Sequence, residues 1–191
     1  MRIFWATAVA VVAGVVGGWA TRGHETVATR LPAAKTQGLE ALGGADDLAT
    51  DDAGDYHVSA GADTVYADNP PTSGPQYDQW APWRAFEQAV PRGVWVHNLA
   101  HGGVVLMYRP DARPEVLAAL RQVYGALPVD PRCGHAWAVL TPDPELDLEW
   151  AAVAWGHVLA AHDVDADAVT RFTSAHRGEH AARCAEGEWG R

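Results

Sequence analysis

Positive charge is scarce in this sequence. Its 191 residues carry 14 lysines and arginines against 24 aspartates and glutamates, a formal net charge of −10. A nucleic-acid binder usually presents a basic face, so that class is disfavoured. The acidity itself serves solubility and identifies no partner. No internal repeat is present, no glycine-rich cradle for a cofactor is readable, and Ser73 lacks the strand-to-helix G-x-S-x-G setting of a hydrolase nucleophile. Neither a third residue to orient a histidine base nor an oxyanion donor pair can be picked out. No cysteine follows the N-terminal apolar run, which argues against a lipoprotein anchor.

That run is the first thing the chain does contain. Arg2 precedes an uncharged apolar stretch from Ile3 to Ala20, and Arg22 follows it. Gly18 and Ala20 supply the small residues of a signal-peptide cleavage site. The stretch is also nearly long enough to cross a bilayer as a retained anchor. Residues 1–20 are therefore expected to be a signal peptide or a transmembrane anchor, and both readings place the rest of the chain outside the cytoplasm. Export bears on Cys133 and Cys184, which are expected to form one disulfide in an oxidising compartment. A pair of soft metal ligands is the competing reading. The nine tryptophans are expected mainly in core and rim packing.

Residues 21–55 show no periodic core pattern, and "LGGADDLATDDAGD" has the acidic, small-residue composition of a solvated spacer. A single globular domain is expected over 56–191. "TVYA" (64–67) is a short strand candidate. "NPPTSGPQY" must be an irregular loop, because Pro70, Pro71 and Pro75 lack amide donors. "GVWVHNL" and "GVVLMYR" read as two strands separated by a tight corner. "RPEVLAALRQVYGAL" reads as an amphipathic helix with Pro114 in its first turn and an apolar stripe of Val116, Leu117, Leu120, Val123 and Tyr124. "HAWAVLTP" is a further strand. "EWAAVAWGHVLAAH" fits strand and helix alike, and its place after a turn favours a strand through Val153 and Trp155. A last helix follows, capped by Asp165 or Asp167. The expected class is α+β, a mostly antiparallel sheet with two helices.

"WVHNLAHGG" carries the clearest chemistry. In a strand, His97 and His101 would share a face about 13 Å apart, too far to share an ion. In a helical turn the same spacing brings them to about 6 Å, close enough to chelate one metal. Gly102 would allow the left-handed exit such a turn needs. Met107, on the next strand, offers a thioether suited to copper(I), and His57 a third nitrogen. The proline loop offers hydroxyls on Thr72 and Ser73 and an aromatic wall from Tyr77 and Trp80, a combination fit for a small-molecule pocket or for covering a sheet edge. His176 and His180 repeat the four-residue spacing, but Gly178 between them and the nearby charges point to a solvated helix end; His135, His157 and His162 have no spacing that selects them as a site.

"HVSAGADTVYADNPPTSGPQY", "VHNLAHGGVVLMY", "AWGHVL" and "RFTSAHR", in that order, resemble the DUF3105 family over residues 56 to 180. The resemblance implies a bacterial protein, membrane-anchored or secreted. The family's loop typically reads PPTSGPH and its corner H-x-L-E-H-G. The positions that match are His57, Pro70, Pro71, Thr72, Ser73, Gly74, Pro75, Tyr77, His97, His101, Gly102 and Tyr108. Two depart: the loop histidine is Gln76 here, and the corner glutamate is Ala100. If the family builds a site from those groups, this chain lacks one nitrogen ligand and one carboxylate.

Together these readings give an exported metal-binding protein, with copper as the first expectation and zinc as the alternative. His97 and His101 are the expected ligands, with His57 or Met107 completing the site and Thr72, Ser73, Gln76, Tyr77 and Tyr108 lining a pocket. Copper with an open position would extend this to an oxidoreductase acting on a small molecule such as a thiol. The alternative is a metal-free module of the cell envelope, binding a protein partner through the proline loop and exposed tryptophans.

Overall fold

The computed structural model describes residues 46–178 together with Cys184 and Gly187. The expected signal or anchor segment and most of the spacer lie outside the described residues. Among those described, no helix is long and apolar enough to cross a membrane.

The architecture is α+β, with seven strands and three helices among the described residues. In chain order these are β1 (Asp46–Ala49), β2 (Asp55–Val58), β3 (Gly74–Tyr77), α1 (Arg92–Ala100), β4 (Val104–Tyr108), α2 (Pro114–Ala126), β5 (Ala138–Pro142), β6 (Trp150–Ala154), β7 (His157–Ala160) and α3 (Ala166–His176). The main sheet runs β1-β7-β6-β4-β5 and is antiparallel except for the β4–β5 pair. That pair is parallel because α2 carries the chain back between the two strands. β2 and β3 form a separate two-stranded parallel ladder.

Both faces of the main sheet are covered, so its inner strands are apolar along their whole length instead of alternating. Val105, Met107, Val139, Ala151 and Val153 face one cluster, completed by Val94, Trp95, Val96 and Leu99 of α1. Val104, Leu106, Tyr108, Leu140 and Trp150 face the other, beneath Val116, Leu120 and Val123 of α2 and Val169 and Phe172 of α3. The sheet thus separates α1 from the other two helices.

Five local expectations are corrected. "NPPTSGPQY" is irregular only through Ser73; its last four residues, Pro75 included, form β3, where Pro75 sits on a two-stranded ladder whose edge tolerates a missing amide. "GVWVHNL" is the helix α1, not a strand. Every residue from Gly93 to Ala100 is buried, so the segment has no polar face to reveal a helical period. "TVYA" forms no strand; Tyr66 is held by its hydroxyl, which donates to the Pro75 carbonyl at 2.7 Å. The stretch read as one strand through Val153 and Trp155 is a hairpin, β6 and β7, turning at Trp155 and Gly156, whose φ of 72° takes the left-handed conformation glycine allows. β1 lies inside the acidic stretch read as a spacer and pairs with β7 as an edge strand. The helix at 114–126 and the Asp165 cap of α3 follow the sequence, with the Asp165 carboxylate accepting from the amides of Asp167 and Ala168.

Candidate functional site

Helix α1 starts just after Pro91 and ends at His101, and Gly102 (φ 75°) provides the left-handed exit. His97 and His101 therefore sit one helical turn apart, on the same side. Their rings lie 4.6 Å apart between centroids and nearly parallel, with 29° between planes. Strand β2 brings in His57, 4.8 Å from His97 by ring centroids. Trp80 presents its indole edge-on to both helix histidines, at 5.1 Å from His97 and 4.5 Å from His101. The His97 ring thus neighbours the imidazoles of both His57 and His101, and the indole meets the two helix histidines.

Backbone contacts fix this arrangement. His97 Nδ1 lies 2.6 Å from the Tyr77 carbonyl oxygen. A carbonyl only accepts, so the ring proton sits on Nδ1 and the Nε2 lone pair remains to donate to an ion. A hydrogen bond from the far nitrogen to a carbonyl is how metal-binding histidines are commonly oriented. Gly93 lets Tyr77 come this close: a Cβ there would stand 2.9 Å from the Tyr77 ring. Asn98, completely buried, donates from Nδ2 to the Ala81 carbonyl at 2.8 Å and accepts the Ala81 amide at 2.9 Å. This two-point clamp fastens the Trp80 segment to the helix.

His97 is only 4% exposed. Burial, then the neighbouring His101 and His57, hold its imidazole down at about 4, the Tyr77 carbonyl opposing them. His97 is therefore neutral at pH 7, the state a metal ligand requires.

Gln76 is the register partner of His57 across the β2–β3 ladder and is 1% exposed. Its Nε2 donates to Asp55 at 2.7 Å, while its Oε1 is buried with no hydrogen-bond partner. An orphaned buried oxygen is costly, on the order of 1–3 kcal/mol, and marks a place where a donor or cation would be stabilised. Ala100 is buried in the last turn of α1 and brings no carboxylate.

The remaining predicted site residues have other places. Met107 is fully buried within the apolar cluster beneath α1, packed as a core side chain. Tyr108 points into the opposite cluster, away from α1. Thr72 and Ser73 are buried and brace the chain: the Thr72 hydroxyl meets that of Thr50 at 2.5 Å, and Ser73 Oγ accepts the Ala53 amide at 2.8 Å. The proline loop is anchored further by Asn69, which accepts from Arg92 at 2.7 Å, while Arg92 pairs with the buried Asp143 at 2.9 Å. Cys133 and Cys184 are joined in a disulfide, which removes both as thiolate ligands.

A second gathering of ligand atoms had no signal in the spacing. Asp47, His157 and His176 come together across the edge of the main sheet. Up to 129 residues separate them in sequence, and only the tertiary fold makes them neighbours.

The model of one protein family, described as proteins of unknown function and designated DUF3105, matches residues 57–188. No curated protein and no solved structure matches the chain. The matched span contains the proline loop, the histidine corner and both cysteines, and it covers most of the chain. The protein therefore belongs to the DUF3105 family.

Proposed function

We propose that this protein is an extracytoplasmic metal-binding protein that holds copper through His97 and His101, with His57 as the third nitrogen. The observation that carries the reading is the bond between His97 Nδ1 and the Tyr77 carbonyl, because it leaves the lone pair on Nε2 of a ring that neighbours the imidazoles of His57 and His101. All-imidazole ligation suits copper and zinc and is a poor match for magnesium or calcium. The Cys133–Cys184 disulfide supports an oxidising compartment, as expected for an exported chain.

His57 is preferred to Met107 as the third ligand, since its side chain is half-exposed beside the pair while Met107 is packed in the core. With three protein ligands one position is left for solvent or a small molecule. Bound copper would there supply one-electron chemistry toward a ligand such as a thiol. This chain's own residues position the imidazoles and, through Trp80, wall off one side. Gln76 brings an amide oxygen where the family has an imidazole, so the site is poorer in nitrogen than its relatives'.

The alternative, a metal-free envelope module, has less in its favour. It needs exposed tryptophans, and every described tryptophan is buried or partly buried. Metal analysis of the protein purified from an exporting host without chelator, beside the His97→Ala/His101→Ala double variant, tests the proposal. About one equivalent of copper, lost in the folded variant, is the expected result, whatever zinc either protein holds elsewhere. No copper in either protein, even after reconstitution with copper(I), would refute it and favour the module.

A further inference from the structure

The register of β1 against β7 pairs Asp47 with Leu159 and Ala49 with His157. Side chains two apart on a strand share a face, and Leu159 belongs to the cluster beneath α2 and α3. Asp47 and His157 therefore project toward α3. The last turn of that helix carries His176, packed with its ring 4.7 Å from that of Phe172.

The three side chains meet closely. One Asp47 oxygen lies 3.1 Å from His157 Nδ1 and the other 2.7 Å from His176 Nε2. The two imidazoles stack at 4.0 Å between centroids, 29° from parallel. A ligand atom from each of the three residues lies within 4.8 Å of the other two. Exposure is graded: the His176 side chain is 8% exposed, His157 32% and Asp47 42%. The cluster thus has a buried floor and an open mouth.

We propose that Asp47, His157 and His176 form a second metal site, which takes zinc(II) with its fourth position open to water. Two imidazoles and one carboxylate are one of the protein ligand sets of open zinc sites. In a tetrahedron with bonds of about 2.0–2.1 Å, neighbouring ligand atoms stand roughly 3.3 Å apart. The His157–Asp47 separation, 3.1 Å, is near that value, while the His176–Asp47 contact, 2.7 Å, would open slightly. Binding needs mainly that the nitrogens and the carboxylate draw in around the ion, and the edge position of β1 leaves room for this. The C-terminal end of α3 adds negative potential that favours a cation.

This site is separate from the one on α1, which packs on the opposite face of the sheet. One backbone contact joins them: the Gly178 amide, two residues beyond His176, donates to the carbonyl of Gly102, next to His101, at 2.7 Å. Zinc binding at the edge would secure β1 to α3, two elements from opposite ends of the described chain.

The test titrates zinc chloride alone into the full chain by calorimetry, with chelator removed beforehand. The His97→Ala/His101→Ala variant is expected to bind one equivalent of zinc still. Adding Asp47→Asn or His157→Ala, both at partly exposed side chains, is expected to weaken that binding at least tenfold with the thermal melt retained. In the otherwise wild-type chain the same substitutions are expected to remove one zinc equivalent. This arm keeps the test open if the double variant does not fold. Zinc stoichiometry or affinity unchanged by Asp47→Asn and His157→Ala would overturn the proposal, whatever happens at the α1 site. Failure of the α1 site alone would appear as loss of copper with the edge site's zinc retained.

Discussion

Taking the metal-free protein from pH 7 to pH 4 exposes the consequence of burying His97. In the unfolded chain its imidazole titrates near 6.5, and in the fold it is held at about 4. Between those values the unfolded state carries a proton that the folded state does not. Stability from this group is therefore complete above about pH 6.5 and is lost as the pH falls toward 4. The slope approaches 1.4 kcal/mol per pH unit in the middle of the window, and the total is at most about 3 kcal/mol. Carboxylates titrate over the lower part of the same window, so the wild-type profile alone does not isolate the effect. Urea denaturation followed by tryptophan fluorescence, in chelator, should compare the wild type with His97→Gln, which has no titrating ring. The wild-type advantage at pH 7 is expected to shrink by about 3 kcal/mol at pH 4. Parallel profiles would mean that His97 is solvated and that the closed imidazole cluster is wrong.

Two further outcomes follow from neighbouring contacts. Gln76→His places an imidazole where a buried amide oxygen has no partner; it is expected to tighten copper binding at least tenfold in a competition assay, and unchanged affinity would place position 76 outside the ligand shell. Asn98→Leu strands the buried Ala81 amide and carbonyl; two unsatisfied groups cost about 2–5 kcal/mol, to be read as a lower urea midpoint, and a loss under 1 kcal/mol would mean that Trp80 is held by something else.

The surface helix was legible because its pattern is one-sided. Val116, Leu120 and Val123 are buried along one stripe of α2, and Pro114 opens it. The same logic fails for α1, whose residues are buried on all sides and so look like a strand. β1 was unreadable for the opposite reason: "DDLA" has a single large apolar residue, and its order comes from backbone pairing with β7. Among candidate ligands, Met107 was singled out for its thioether, yet β4 alternation turns it into the core.

The sequence by itself determined what rests on local chemistry. That includes the family membership, the irregular path through Pro70 and Pro71, and the rule that His97 and His101 can share an ion only if their segment is helical. Whether that segment is helical was decided by the tertiary structure, which buries it against the main sheet and beneath the β2–β3 ladder. The fold alone also brought His57 to His97, set Trp80 against both helix histidines through Asn98, and collected Asp47, His157 and His176 at the sheet edge. The physical reason is the same in each case. A side chain four residues away is placed by backbone geometry, whereas one in a different element is placed by strand register, by which face of the sheet its helix covers, and by clamps such as that of Asn98 on Ala81.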